Sequence, residues 1–203
     1  MSLPPAAPQR QLKHRRQIDV QVFACGNGLW EVDAVLTDTK TRATPIANFL
    51  RPAGTPIHDM LLRLVVNEQF DIVAAGSESR WMPYSGLCNE HGDAYARLVG
   101  LNLRQDFRKQ LRHRVGGVLG CTHLTELAQV LPTAVVQAFA GEVIDTRGTA
   151  AGAGKPFQID HCHALRSSGE AVRLHYPRWY RAATAAAAEQ PHHDLNARAK
   201  EPR

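Results

Sequence analysis

Apolar and polar residues alternate at Ile18, Val20 and Val22. Extended character resumes over Leu29-Trp30-Glu31-Val32-Asp33-Ala34-Val35-Leu36 after a break at Cys25-Gly26-Asn27-Gly28. A period of two interrupted by an Asn-Gly turn predicts a β-hairpin, because successive side chains of a strand point to opposite faces and Asn-Gly tolerates the positive φ of a tight turn. Met60-Leu61-Leu62-Arg63-Leu64-Val65-Val66 and Phe70-Asp71-Ile72-Val73-Ala74-Ala75, joined through Asn67-Glu68-Gln69, predict a second pair. The first third of the chain therefore reads as an antiparallel sheet.

Helical spacing follows. A helix is expected from about Asn89 to Val99, with Tyr95 and Leu98 on one face. Phe107, Leu111 and Val115 repeat every four residues on a basic helix that Gly116-Gly117 should end. Gly120-Cys121-Thr122 opens a third helix carrying Leu124, Leu127, Leu131, Val135 and Phe139, which Pro132 is expected to kink or divide. Residues 146–155 read as a Gly/Ala-rich loop, followed by His161-Cys162-His163, a turn at Arg166–Gly169 and the aromatic group Tyr176-Pro177-Arg178-Trp179-Tyr180. The pattern predicts an α+β fold in a single globular domain over 14–181, with the sheet packed on the central helices and the His161–His163 loop returning to it. A flexible arm over 1–13 and a flexible tail over 182–203 complete the expected organisation.

At 203 residues, 44% hydrophobic and 21% charged, the chain has the composition of an ordinary globular protein. The formal charge is +5, and the basic residues cluster at Arg10, Lys13, His14, Arg15 and Arg16 and at Arg104, Arg108, Lys109, Arg112 and Arg114. Runs of this kind read as a solvated tail and a solvated helix face. Aromatic residues are sparse at 6% and not interleaved with a basic sheet, so nucleic acid is not the expected partner. No apolar run approaches the roughly 20 residues that span a bilayer, and the start lacks the apolar stretch of a secretory signal. A cytoplasmic location is expected, with Cys25, Cys88, Cys121 and Cys162 as free thiols. The oligomeric state stays open, a homodimer included.

Thiols and imidazoles concentrate at Cys121-Thr122-His123 and Asp160-His161-Cys162-His163. Cys121 stands at an expected helix N-terminus, where a thiolate is stabilised, but His123, two residues on, points elsewhere on a regular helix. Cys88, Cys121, His123, Cys162 and His163 offer more ligands than tetrahedral zinc needs, yet no C-x-x-C or H-E-x-x-H organises them. His58-Asp59 precedes the apolar strand at Met60, a strand-end position from which a histidine can exchange protons while a carboxylate orients it. Glu31 and Asp33 share one strand face, and Asp38 and Lys40 lie at the exit of the same hairpin.

No G-x-G-x-x-G, G-x-x-x-x-G-K-[ST] or G-x-S-x-G occurs, so nucleotide and α/β-hydrolase readings lose their main support. The ordered motifs Gly28-Leu29-Trp30-Glu31, Leu36-Thr37-Asp38-Thr39-Lys40, His58-Asp59-Met60, Leu98-Val99-Gly100-Leu101, Gly120-Cys121-Thr122-His123-Leu124, Cys162-His163-Ala164-Leu165 and Tyr176-Pro177-Arg178-Trp179-Tyr180 resemble those of the bacterial family known as domain of unknown function 2889, from about His14 to Arg181. The resemblance implies a role in catabolism of lignin-derived aromatics, as a lyase that releases a side-chain carbon as formaldehyde from a phenolic substrate. Such a reaction needs acids and bases but no organic cofactor. On this expectation His58 is the base, held by Asp59, with Lys40 and His123 as partners. Glu31, Asp38, Tyr84 and Trp179 are the expected substrate contacts. The alternatives are a zinc-dependent hydrolase built on the Cys/His clusters and a non-enzymatic ligand-binding or regulatory module with a flat basic surface from Arg104, Arg108 and Arg112.

Overall fold

A computed structural model describes residues 3–148 and 154–182, and the chain divides into two compact units, Met1–Val143 and Ile144–Arg203. In the first unit, β1 (His14–Gly26) and β2 (Leu29–Lys40) form the first hairpin, and Asn27 and Gly28 turn it with φ of 51° and 69°. This is the backbone that Asn-Gly adopts at little cost. A small hairpin, β3 (Thr44–Ile46) with β4 (Phe49–Arg51), precedes β5 (Pro56–Asn67) and β6 (Ile72–Trp81). The Asn67 side-chain oxygen accepts from the backbone N–H of Gln69 and Asp71, fixing the β5–β6 turn, in which Phe70 takes a φ of 71°. The main sheet is antiparallel throughout, in the order β1-β2-β5-β6.

One face of that sheet is closed. Val32, Ala34 and Leu36 of β2, Met60, Leu62, Leu64 and Val66 of β5, and Ile72 of β6 are all buried. They pack under α2 (Thr122–Phe139), whose Leu124, Leu127, Leu131, Val135 and Phe139 recur at the three- and four-residue spacing of one helix face. The Phe139 ring lies 5.0 Å from Trp30 and 4.8 Å from Phe70, sealing the far end. The Phe107, Leu111 and Val115 stripe of α1 (Phe107–Val115) is buried as well. Pro132 does not divide α2, which runs unbroken for 18 residues. The helix expected over 89–99 shrinks to a 3₁₀ turn at Ala94–Leu98, because residues 84–93 are spent in consecutive turns, with Gly86 and Gly92 at positive φ. Tyr95 and Leu98 are nonetheless buried as their spacing implied.

The second unit holds α3 (Glu170–His175) and a 3₁₀ turn at Pro177–Trp179. Asp160, in the left-handed region at a φ of 66°, accepts from the Ser167 N–H and hydroxyl and from Lys155. Within the expected 146–155 loop, residues 149–153 lie outside the described ones, as does the expected tail from residue 183 onward. No described helix is long and apolar enough to cross a membrane.

The α2–sheet seam sets stability. Leu127→Ala removes a fully buried side chain from its centre and should cost about 2–5 kcal/mol. Val118→Ala, at a fully exposed position, should change stability by less than about 0.5 kcal/mol. Chemical denaturation midpoints of the two variants check the contrast.

Candidate active site

Three apolar stripes on the buried sheet face end in polar residues. On β1 the stripe Val22, Val20, Ile18 continues to Arg16; on β2 Val32, Ala34, Leu36 continues to Asp38; on β5 Leu64, Leu62, Met60 continues to His58. Strand register aligns these ends, since Arg16 pairs with Asp38 and Asp38 with His58. A cation, a carboxylate and an imidazole thus form one row across the sheet, all on its buried face.

Asp38 is only 2% exposed. Arg16 clamps it in a fork, Nε to Oδ1 and Nη2 to Oδ2, each at 2.8 Å. His58 Nδ1 is 3.0 Å from Oδ2, and His14 Nε2 is 3.2 Å from Oδ1. Burial pulls the Asp38 carboxyl upward, but the Arg16 hydrogen bonds and charge, followed by those of His58, outweigh it and hold the group below its ordinary value. An ionised carboxylate can only accept, so Nδ1 of His58 carries the proton and donates it. The lone pair of the neutral ring is left on Nε2. Arg16 also bonds Glu126 on the second turn of α2 through Nη1 at 2.6 Å, joining the sheet to the helix.

The first turn of α2 adds His123. Its ring lies 3.8 Å from that of His58 at 32°, and its Nε2 is 4.0 Å from Asp38 Oδ2. The entry of this helix is fixed from below by Tyr95, whose hydroxyl lies 2.6 Å from the Cys121 carbonyl, 3.1 Å from its N–H and 2.8 Å from the Thr125 hydroxyl. Burial pushes the Tyr95 phenol up to about 12, so it serves as a neutral bracket. Gly120 is required beside it, because a Cβ there would stand 2.7 Å from the Val115 carbonyl oxygen. Burial lowers the pKa of both imidazoles. For His58 the Asp38 contact opposes it in part; for His123 the neighbouring His58 and Arg16 add to it. Both rings are therefore neutral at pH 7.

His58 and His123 line a cleft of about 550 Å³, within the range of small-molecule sites. Met60, Tyr84, Leu87 and Val118 supply apolar wall, and Cys88, His91 and Cys121 supply further polar groups. Cys121 Sγ lies 3.8 Å from both His123 Nδ1 and Met60 Sδ.

Of the residues expected from sequence, His58, His123 and Asp38 converge, and Tyr84 lines the same cleft. Asp59 does not orient His58: adjacent strand residues face opposite ways, and Asp59 lies 3.3 Å from Arg80 instead. Asp38 takes that position. Glu31 lies on the other sheet face, 3.5 Å from Arg63, where it cannot reach the cleft. Lys40 ends β2 opposite His14, and among the described residues no hydrogen bond or ion pair joins it to Asp38, His58 or His123. Trp179, Cys162 and His163 belong to the second unit, where Cys162 and His163 are exposed and Arg166 Nη1 lies 3.2 Å from His163 Nε2. Among the described residues, the group able to hold a metal ion is Asp38, His58 and His123, with one ligand atom of each within 4.8 Å of the others, rather than the Cys/His set. Two imidazoles and a carboxylate suit a divalent ion. Yet both Asp38 oxygens already accept from Arg16, whose charge opposes a second cation. Arg16, His14 and Glu126 were not anticipated; the available signal was Arg16 standing in phase with the Ile18–Val22 stripe.

The family model "Protein of unknown function (DUF2889)" matches residues 14–137, more than half of the chain. The chain belongs to the DUF2889 family. In this DUF2889 protein the match runs from the first residue of β1 to the last turn of α2 and contains the whole Arg16–Asp38–His58–His123 constellation. No curated protein and no solved structure matches the chain.

The two half-buried imidazoles couple stability to pH. Their folded pKa values lie below the unfolded 6.5, so the folded state resists protonation that the unfolded state accepts. Their contribution is complete above about 6.5 and is lost progressively as pH falls below it. Denaturation midpoints measured between pH 7 and pH 5 should fall for the wild type and fall less for a His58→Gln/His123→Gln double variant. A midpoint that rises on acidification would contradict the burial assignment.

Proposed function

We propose that the Asp38–His58–His123 cleft is an acid–base site acting on a small phenolic substrate. The reaction is cofactor-independent cleavage of a side-chain carbon as formaldehyde. The observation that carries this reading is the His58 Nδ1 to Asp38 Oδ2 hydrogen bond at 3.0 Å, with the carboxylate held ionised by Arg16. A neutral imidazole whose tautomer is set by a carboxylate presents Nε2 as a general base. The apolar walls of the cleft suit an aromatic ring, and the family resemblance suggests the lignin-type phenylpropanoid class.

A phenol with a leaving group on its benzylic carbon gives up that group together with the phenolic proton, as water or an alcohol, and the resulting quinone methide is an electron sink conjugated with its side chain. His58 Nε2 takes the hydroxyl proton of the side-chain CH₂OH group. The carbon–carbon bond to that group breaks, the carbon–oxygen double bond of formaldehyde forms, and the electron pair flows into the ring to give a phenolate. His123 donates an N–H to the phenolate oxygen, and the proton held on His58 returns to it, so the base is regenerated.

A two-histidine, one-carboxylate metal centre is the second reading, favoured by the proximity of the three ligand atoms. It requires Asp38 to exchange Arg16 for the ion. Elemental analysis of protein purified without chelator is expected to find no stoichiometric metal; about one ion per chain would establish the second reading in place of the first.

Formaldehyde released from a panel of hydroxymethyl-bearing phenylpropanoids tests the activity itself. With an active substrate, His58→Ala should lower turnover by roughly 10²–10⁴-fold per folded molecule, with circular dichroism giving the folded fraction, since Arg16 and His14 still pair with Asp38. Asp38→Asn should also lower it by disturbing the tautomer, while Asp59→Asn should not. Wild-type turnover in His58→Ala would remove His58 from the mechanism.

A further inference from the structure

A second cleft, of about 390 Å³, opens where the start of α1 meets the middle of α2. Its apolar lining is Leu103, Phe107 and Pro132, the first two buried. Arg108, Lys109 and Arg112 line it as well, all three exposed. Arg104 also lines it, its guanidinium carbon 5.2 Å from the centre of the Phe70 ring, and Asp106 is the lone carboxylate. Among the described lining residues, Arg108, Lys109 and Arg112 are three exposed cations beside one carboxylate, Asp106.

Stability does not account for this arrangement. Among the described residues no salt bridge joins Arg108, Lys109 or Arg112 to a carboxylate, and Arg108 and Arg112 are like charges one turn apart on α1, a spacing that destabilises a helix. Arg108 and Lys109 also stand in the first turn, where the helix dipole favours the opposite sign. Local rules broken together beside a preformed cavity mark a place selected for something other than folding. The basic residues rim a shallow, open cleft with an apolar lining.

We propose that this cleft binds an amphipathic organic anion, its apolar body against Leu103, Phe107 and Pro132 and its carboxylate, sulfonate or phosphate group on Arg108, Lys109 and Arg112. Arginine forks match the planar oxygens of such groups. The neutral imidazoles of the larger cleft offer no comparable concentration of charge, so the two sites take ligands of different character. The proposal stands independently of the activity assigned to His58.

The fluorescent anion 8-anilinonaphthalene-1-sulfonate serves as the probe, titrated into the full chain. Its binding should be saturable, should weaken as salt rises from about 50 to about 200 mM, and should weaken about tenfold or more in an Arg108→Gln/Arg112→Gln variant. His58→Gln should bind the dye as the wild type does. Circular dichroism melts show whether the surface variants remain folded, and backbone amide shifts on titration should cluster at residues 103–112. Unchanged affinity in the double arginine variant, or loss of binding in His58→Gln, would overturn the assignment. Inorganic phosphate binding as tightly as the dye would remove the apolar part of it. Preferential displacement of the dye by random-sequence RNA would replace the small anion with a polyanion.

Discussion

A carboxylate buried at the end of a hydrophobic stripe is the constraint around which this fold is arranged. Asp38 is almost inaccessible to water, and an isolated charge there would be costly by far more than the margin that keeps a domain folded. The cost is offset only because three partners converge on its two oxygens: the Arg16 fork, the His58 ring and the His14 ring. Each comes from a strand adjacent to β2, so the register of both β1 and β5 against β2 is tied to the same ion. A slip of one residue in either pairing would turn Arg16 and His14, or His58, to the opposite face and take those partners from Asp38.

The same ion links the sheet to its helix. Arg16 spans from Asp38 to Glu126, and the His123 ring lies against that of His58, so polar contacts join Leu124 and Leu127 in placing the first two turns of α2, while the remaining turns are placed by Leu131, Val135 and Phe139. Tyr95 and Gly120 set the helix entry. Removing Arg16 would leave the buried Asp38 charge poorly compensated, so Arg16 and Asp38 are structural and chemical residues at once.

The chemical consequence is a division of charge within a small volume. The permanent ions, Arg16 and Asp38, sit behind the site and neutralise each other. The groups that face the cleft, His58 and His123, are uncharged at neutral pH and free to take or give a proton. A cleft of this kind accommodates an uncharged aromatic body better than an anion. A denser group of exposed cations, Arg108, Lys109 and Arg112, lies on α1.

Secondary structure was legible in the sequence because it depends on short-range pattern. Period-two alternation marked both hairpins of the main sheet, Asn27-Gly28 marked a turn, and the Phe107, Leu111, Val115 and Leu124–Phe139 spacings marked α1 and α2. The pattern also singled out His58 and His123 as residues of chemical interest, and it contained, unread, the parity that places Arg16 and Asp38 inward. What it could not supply was that the two hairpins join through β2 and β5, and in what register, and this is what makes Asp38, 20 residues from His58, its partner in place of the adjacent Asp59. Sequence neighbours on a strand face apart, whereas residues on paired strands face together. Only the tertiary structure, by closing the sheet under α2 and forcing a buried carboxylate to find its cations, decided which of the polar residues became a site.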